Sequence, residues 1–199
     1  MHGWIGSAGI RWQRGLCLAA LFLGVSAPAD EPLTFPSADG TRRAPLALGD
    51  GQLASVLIFV SPFCPTSNNF LPEVNAIAAD HGARFAFHLV EAEPGLQLPD
   101  VLRHIEISGI SIPVLLDPDL RLTRLAGATV TPEAVVLAAD GRPLYRGRIN
   151  DFYLTPTRKQ RQATTRDLRD ALEAIAEGRP VPAPQPPAVG CKISGLAPP

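Results

Sequence analysis

The stretch Ala54-Ser55-Val56-Leu57-Ile58-Phe59-Val60-Ser61-Pro62-Phe63-Cys64-Pro65-Thr66-Ser67 decides the fold. Its first eight residues are a nearly continuous apolar, β-branched run, the pattern of a central strand covered on both faces. Serine and proline then end the strand, and a cysteine flanked by a second proline follows. Downstream, Phe70, Leu71, Val74, Ile77 and Ala78 recur at helical spacing, with Thr66 and Ser67 as candidate N-caps and Gly82 as a stop. Cys64 is thereby predicted at a strand-to-helix junction. A helix N-terminus carries roughly half a positive charge and unpaired N–H groups, which favour the thiolate, the nucleophilic form of cysteine. The plainer reading of Cys64 is a buried apolar cysteine that only fills space.

Working outward, Asp39-Gly40 inside Leu33 to Leu48 predicts a hairpin at a sheet edge. Arg84 to Val90 and Ile112 to Leu116 read as strands, and Asp100 to Ile107 and Leu120 to Leu125 as short helices. Ala134 to Ala138 and Leu144 to Arg148 flank Asp140-Gly141, the signature of a second hairpin. A last helix is marked by Leu168, Ala171, Leu172 and Ile175 on one face. It has a capping-box-like start at Thr164-Thr165-Arg166-Asp167 and Gly178 past its end. This alternation predicts an α/β fold with a mixed central sheet covered by helices on both faces.

At 199 residues, with 46% hydrophobic and 19% charged, the chain suits one well-buried core. Residues 1–29 read as a signal peptide: Arg11 and Arg14 precede the apolar run Gly15 to Ala27, which ends in Ala27-Pro28-Ala29. That run of about 13 residues is shorter than the roughly 20 that cross a bilayer, so no stable membrane span is expected after cleavage. The expected organisation is a signal peptide (1–29), a globular domain (30–178) and a proline-rich tail (179–199) carrying Cys191, with Arg179 to Pro187 extended and polyproline-like. Export implies a periplasmic or secreted location, where thiol pairs tend to oxidise. Cys17 leaves with the signal, and the mature chain keeps Cys64 and Cys191. It also keeps 16 basic and 19 acidic residues, a balance that gives nucleic acid no attraction.

Several of these features resemble one family. Cys64 follows a hydrophobic strand, Pro72 lies eight residues on inside the helix, and Thr131-Pro132 precedes the final hairpin. In addition, Ser111-Ile112-Pro113-Val114-Leu115-Leu116-Asp117, followed by Ala126 to Pro132, looks like a strand-helix insert. From Leu33 to Glu177 the chain resembles the thioredoxin superfamily, in its redoxin and alkyl-hydroperoxide-reductase-like branch. The resemblance implies a thioredoxin-like fold, a cis proline at Pro132 whose loop faces the nucleophile and, with Thr131 and Pro65, holds substrate, and chemistry that needs no cofactor. It fails at Ser67, which stands where the second thiol of a Cys-x-x-Cys motif would be, and at Ile58, where a buried acid is usual. The Ser67 hydroxyl can still donate to a Cys64 thiolate. A peroxiredoxin motif is matched by Ser61 and Cys64 but not by Leu57 or Ala134, so Arg146 or Arg148 would have to activate peroxide. Copper delivery would need a cysteine at Asn68 and a histidine, and His81, His88 and His104 sit in ordinary helix or strand contexts; no metal site is expected.

Cys191, in Gly190-Cys191-Lys192-Ile193, is the other thiol, and the adjacent glycine permits close backbone approach to a partner. The 13 residues after Gly178 reach roughly 40 Å if extended, at about 3.1 Å each, so contact with Cys64 is feasible. Three readings stand: Cys191 resolves a mixed disulfide or sulfenic acid formed on Cys64, it forms a permanent staple, or it stays free. The expected function is an extracytoplasmic thiol–disulfide oxidoreductase with catalytic Cys64, Cys191 and Ser67. The alternatives are a thiol peroxidase with antioxidant activity, or a non-catalytic binding or metal-delivery module. The expected partners are protein or small-molecule thiols and disulfides, peroxide, and a further redox partner.

Overall fold

The computed structural model describes residues 1–2 and 32–196, and the signal-peptide expectation lies outside the described residues. In chain order the elements are β1 (Phe35–Pro36), β2 (Arg42–Arg43), β3 (Ala54–Val60), α1 (Pro65–His81), β4 (Phe85–Glu91), α2 (Leu98–Ser108), β5 (Val114–Leu116), α3 (Arg121–Ala126), β6 (Val130–Thr131), β7 (Glu133–Leu137), β8 (Pro143–Gly147), β9 (Tyr153–Thr155), β10 (Arg158–Lys159), α4 (Asp167–Ala176) and β11 (Cys191–Lys192). Five of them form the central sheet in the order β5-β4-β3-β7-β8. β3, β4 and β5 run parallel, and β7 and β8 pair antiparallel, so the sheet is mixed.

β3 is central, and all seven of its residues are buried. Side chains alternate across a strand, and its two faces serve two cores. Val56, Ile58 and Val60 pack with Phe70, Leu71, Val74 and Ile77 of α1, Val101 of α2, and Leu168 and Leu172 of α4. Leu57 and Phe59 pack on the other side with Phe35, Leu115, Leu122, Val135 and Ile193. Ile193 belongs to the C-terminal segment, so the tail supplies part of a core.

Two expected helix starts are corrected. Cys64, not Thr66 or Ser67, is the N-cap of α1, and Pro65 opens the helix. Proline has a helical φ already and no N–H to satisfy, which suits the first turn. Thr66 and Ser67 lie inside the helix and are buried. α4 begins at Asp167, without a side-chain cap from Arg166, the residue before it. The Asp151 carboxylate instead accepts the Thr164 N–H at 2.6 Å and the Thr165 N–H at 3.0 Å. A residue 13 positions upstream therefore holds this helix entry, which a local capping rule misses.

The proline-rich stretch is bonded to the sheet edge, and the short strand β11 follows it at Cys191–Lys192. Arg148 N–H donates to Pro186 O at 3.1 Å, and Arg146 N–H donates to Gln185 Oε1 at 2.8 Å. A Cβ at Gly147 would stand 2.4 Å from Pro186 O, so only glycine admits this approach. Val181 and Val189 also pack against the first core.

Candidate active site

Cys64 sits where the sequence places it, between the end of β3 and the first turn of α1. The turn leading to it is held by side chains. Ser61 Oγ accepts the Phe63 N–H at 3.2 Å and donates to Glu93 Oε2 at 3.0 Å, while the Cys64 N–H donates to Ser61 O at 3.1 Å. Asn68, one helical turn on, donates through Nδ2 to Pro62 O at 3.1 Å. Its oxygen faces His104 Nε2 at 2.9 Å, and His104 Nδ1 lies 2.6 Å from Glu91 Oε1. With the Asn68 nitrogen committed to Pro62, His104 Nε2 is the donor to Asn68, and Nδ1 is paired with the Glu91 carboxyl. His104 and Glu91 are both buried, and Glu91 Oε2 has no further partner. No sequence signal singles out this chain of three. It joins α1, α2 and β4, and only the packing of those elements brings its members together.

The Thr131-Pro132 peptide is cis and lies against the thiol, with Cys64 Sγ donating to Thr131 O at 3.1 Å. β11 pairs antiparallel with β6, placing Cys191 opposite Thr131 and Lys192 opposite Val130. Ile193 N–H donates to Thr129 O at 3.1 Å. The approach at Gly190 is extreme: a Cβ there would be 2.0 Å from Thr131 O. The structure thus brings Cys64, Cys191, Ser67, Thr131, Pro132 and Pro65 to one locus, with both cysteines as free thiols.

Cys64 is 1% exposed. Burial alone would raise its pKa, but hydrogen bonds from the Cys191 thiol, the Ser67 backbone and hydroxyl, and the Thr131 side chain outweigh it and lower the value to about 7. The Thr131 carbonyl pulls the other way, because only the protonated thiol can donate to it. Ser67 Oγ is buried and unpartnered while that proton points at Thr131. It gains an acceptor when the sulfur ionises, and its donation favours the thiolate. Cys191 is pushed up to about 11, first by burial and then by the hydrogen bond and charge of Cys64. Neither arginine proposed for peroxide activation turns to the sulfur. Arg146 donates to Gly127 O at 2.9 Å, and Arg148 pairs with Asp167 at 2.8 Å. Among the described residues no three His, Cys, Asp or Glu side chains converge as a metal site, and no helix is long and apolar enough to cross a membrane.

The sequence matches no protein-family model and no curated protein. Among solved structures, a hypothetical protein from Sinorhizobium meliloti superposes with a TM-score of 0.71 at 24% identity, over 83% of this chain and 92% of that one. An uncharacterized conserved protein from Geobacillus kaustophilus gives 0.69 at 25% identity, over 83% and 90%. A secreted Mycobacterium tuberculosis disulfide oxidoreductase homologous to E. coli DsbE gives 0.52 at 20% identity, over 73% and 99%. The chain has the fold of the thioredoxin superfamily. Within that fold Ser67 stands three residues after Cys64, and a short strand of the C-terminal tail carries the other thiol, Cys191.

Proposed function

We propose that this protein is an extracytoplasmic thiol–disulfide oxidoreductase in which Cys64 is the nucleophile and Cys191 the resolving thiol. The observation that carries this reading is the β6–β11 pairing, which sets Cys191 opposite the residue whose carbonyl accepts the Cys64 proton. The Cys64 thiolate attacks a substrate disulfide R–S–S–R′, forming Cys64–S–S–R and releasing R′–S⁻. The Cys191 thiol then loses its proton and attacks Cys64 Sγ, releasing R–S⁻ and closing the Cys64–Cys191 disulfide. Ser67 donates to the Cys64 thiolate, while Pro65 and the Thr131-Pro132 backbone border the reacting sulfur. The likeness to the secreted Mycobacterium tuberculosis disulfide oxidoreductase supports both the chemistry and the exported location. The engagement of Arg146 and Arg148 elsewhere favours disulfide exchange over peroxide reduction.

The test is a redox titration of the mature protein in thiol buffers, with alkylation and mass mapping of the Cys64–Cys191 link. A link that titrates above about −230 mV is expected of a working pair, whereas one below about −300 mV would make it a structural staple and overturn the proposal. In the same assay Cys64→Ser abolishes exchange, and Cys191→Ser allows attack but stalls at the mixed disulfide.

A further inference from the structure

Residues 30–199 hold 16 basic and 19 acidic side chains, and their charges are unevenly spread. The stretch 152–166 has four of the basic ones, Arg158, Lys159, Arg161 and Arg166, and none of the acidic ones. It forms the hairpin of β9 and β10, which pair only with each other, and the loop that leads into α4. Arg158, Lys159 and Arg161 are exposed. Among the described residues no carboxylate pairs with these three, whereas Arg166 lies 2.5 Å from Glu173. The acids that flank the stretch are committed elsewhere, Asp151 to the Thr164 and Thr165 N–H groups and Asp167 to Arg148. The hairpin is fixed to the helix that follows Cys64. Tyr153 is buried in the first core and its hydroxyl accepts Asn69 Nδ2 at 2.6 Å, while Phe152 packs edge-on against Phe70 at 6.0 Å. Asn69 lies roughly 8 Å beyond Cys64 along the helix axis, at about 1.5 Å per residue. An open cleft of about 680 Å³ is bordered by Asn69 and Pro72 of α1 and by Asn150, Arg161 and Gln162. Glu73 also borders it, but its carboxylate is held by Arg169 at 2.9 Å.

Resting on the disulfide reading above, we propose that the β9–β10 hairpin and this cleft dock an extended acidic segment of the protein partner that exchanges its disulfide with this chain. An exposed ion pair is weak by itself. Three unpaired cations held close together in an otherwise acidic molecule make a local positive field, which steers an acidic chain and fixes its orientation. Because Tyr153 and Phe152 anchor the hairpin to α1, that orientation is set relative to Cys64 rather than left to a mobile arm. The shape of the site favours a polypeptide over a bilayer. A cleft edged by the amide side chains of Asn69, Asn150 and Gln162 offers hydrogen-bonding groups to an extended backbone. A bilayer surface instead takes up exposed aromatic and aliphatic side chains, and here Leu154 is the exposed large apolar residue of the hairpin, with both aromatic rings packed against α1.

The full mature protein is titrated into two fluorescein-labelled peptides of equal length that contain serine in place of cysteine and differ only in a run of glutamates or glutamines. By anisotropy at low salt the glutamate peptide is expected to bind at least about fivefold more tightly. That preference should vanish near 1 M salt, where charges are screened beyond about 3 Å, and in the combined variant Arg158→Gln, Lys159→Gln, Arg161→Gln, which leaves both cysteines in place. Equal binding of the two peptides, or a preference that survives the variant, would overturn the docking site. Capture of the protein by phosphatidylglycerol vesicles, with no preference between the peptides, would overturn it in favour of a membrane surface. The same peptides with the serine restored to a cysteine disulfide separate the two claims. A binding preference with no exchange of either disulfide overturns the disulfide reading alone, whereas equal exchange of both with no binding preference overturns the docking site alone.

Discussion

The two halves of the site are built by opposite means. The Cys64 half is an interior junction: a fully buried strand feeds a helix whose apolar face is packed, and the turn between them is clamped by Ser61, Asn68, His104 and Glu91. The Cys191 half is a two-residue strand after a proline-rich segment, held by a few backbone hydrogen bonds, one buried isoleucine and glycines that let chains approach where no Cβ fits. The contrast teaches that Cys64 is immobilised by the core, while Cys191 is docked by backbone fit.

The largest effect expected from testing this contrast is at the clamp. His104→Ala removes the partner of the buried Glu91 carboxyl, and loss of one member of a buried pair costs about 3–5 kcal/mol. The urea unfolding midpoint of the reduced protein should fall accordingly. A loss under about 1 kcal/mol would mean that the Cys64 half is held no more firmly than an exposed pair. Next comes Gly190→Ala, which puts a methyl group into the Thr131 carbonyl. Forced overpacking costs typically about 1–3 kcal/mol, so the equilibrium constant for closing the Cys64–Cys191 disulfide against glutathione should drop about 5- to 150-fold. An unchanged constant would show that the tail does not depend on this approach.

The smallest effect is at Ser67. Ser67→Ala removes one donor to the thiolate, and the midpoint of the pH titration of Cys64 alkylation should rise by roughly one unit from about 7 toward the ordinary thiol value of 9.0. The sign extends to stability. Because folding holds the Cys64 pKa down, its thiolate contributes stability that is fully present above pH 9 and is lost as pH falls through about 7. Ser67→Ala should narrow that window, and urea titrations of the reduced protein at pH 7 and pH 9 would read the change. No shift in either titration would place the control of ionisation entirely with Thr131 and Cys191.

Much of the Cys64 half was legible in the chain because it is written in local periodicity. The apolar run of β3 and the helical spacing of Phe70, Leu71, Val74 and Ile77 position the cysteine without knowledge of any other element. The departures at Ser67 and Ile58 were legible too, being single positions relative to Cys64. The clamp was not, since Glu91, His104 and Asn68 lie on three elements and none belongs to a recognisable motif. The tail stood between these cases. Gly190 beside Cys191 signalled a close approach, but nothing local specified that the surface approached would be Thr131.

The sequence by itself determined the α/β order of elements, the strand-to-helix seat of Cys64 and the absence of a second thiol beside it, because periodicity and residue identity act over a few positions. Only the tertiary structure decided that Cys191 lies across the cis-proline loop from Cys64, that Cys64 ionises more readily than a buried thiol ordinarily would, and that Asp151 holds the entry to α4. Each of these depends on groups far apart in the chain meeting at hydrogen-bond distance. That meeting is set by how the two cores pack around the sheet, and no short stretch of the chain contains it.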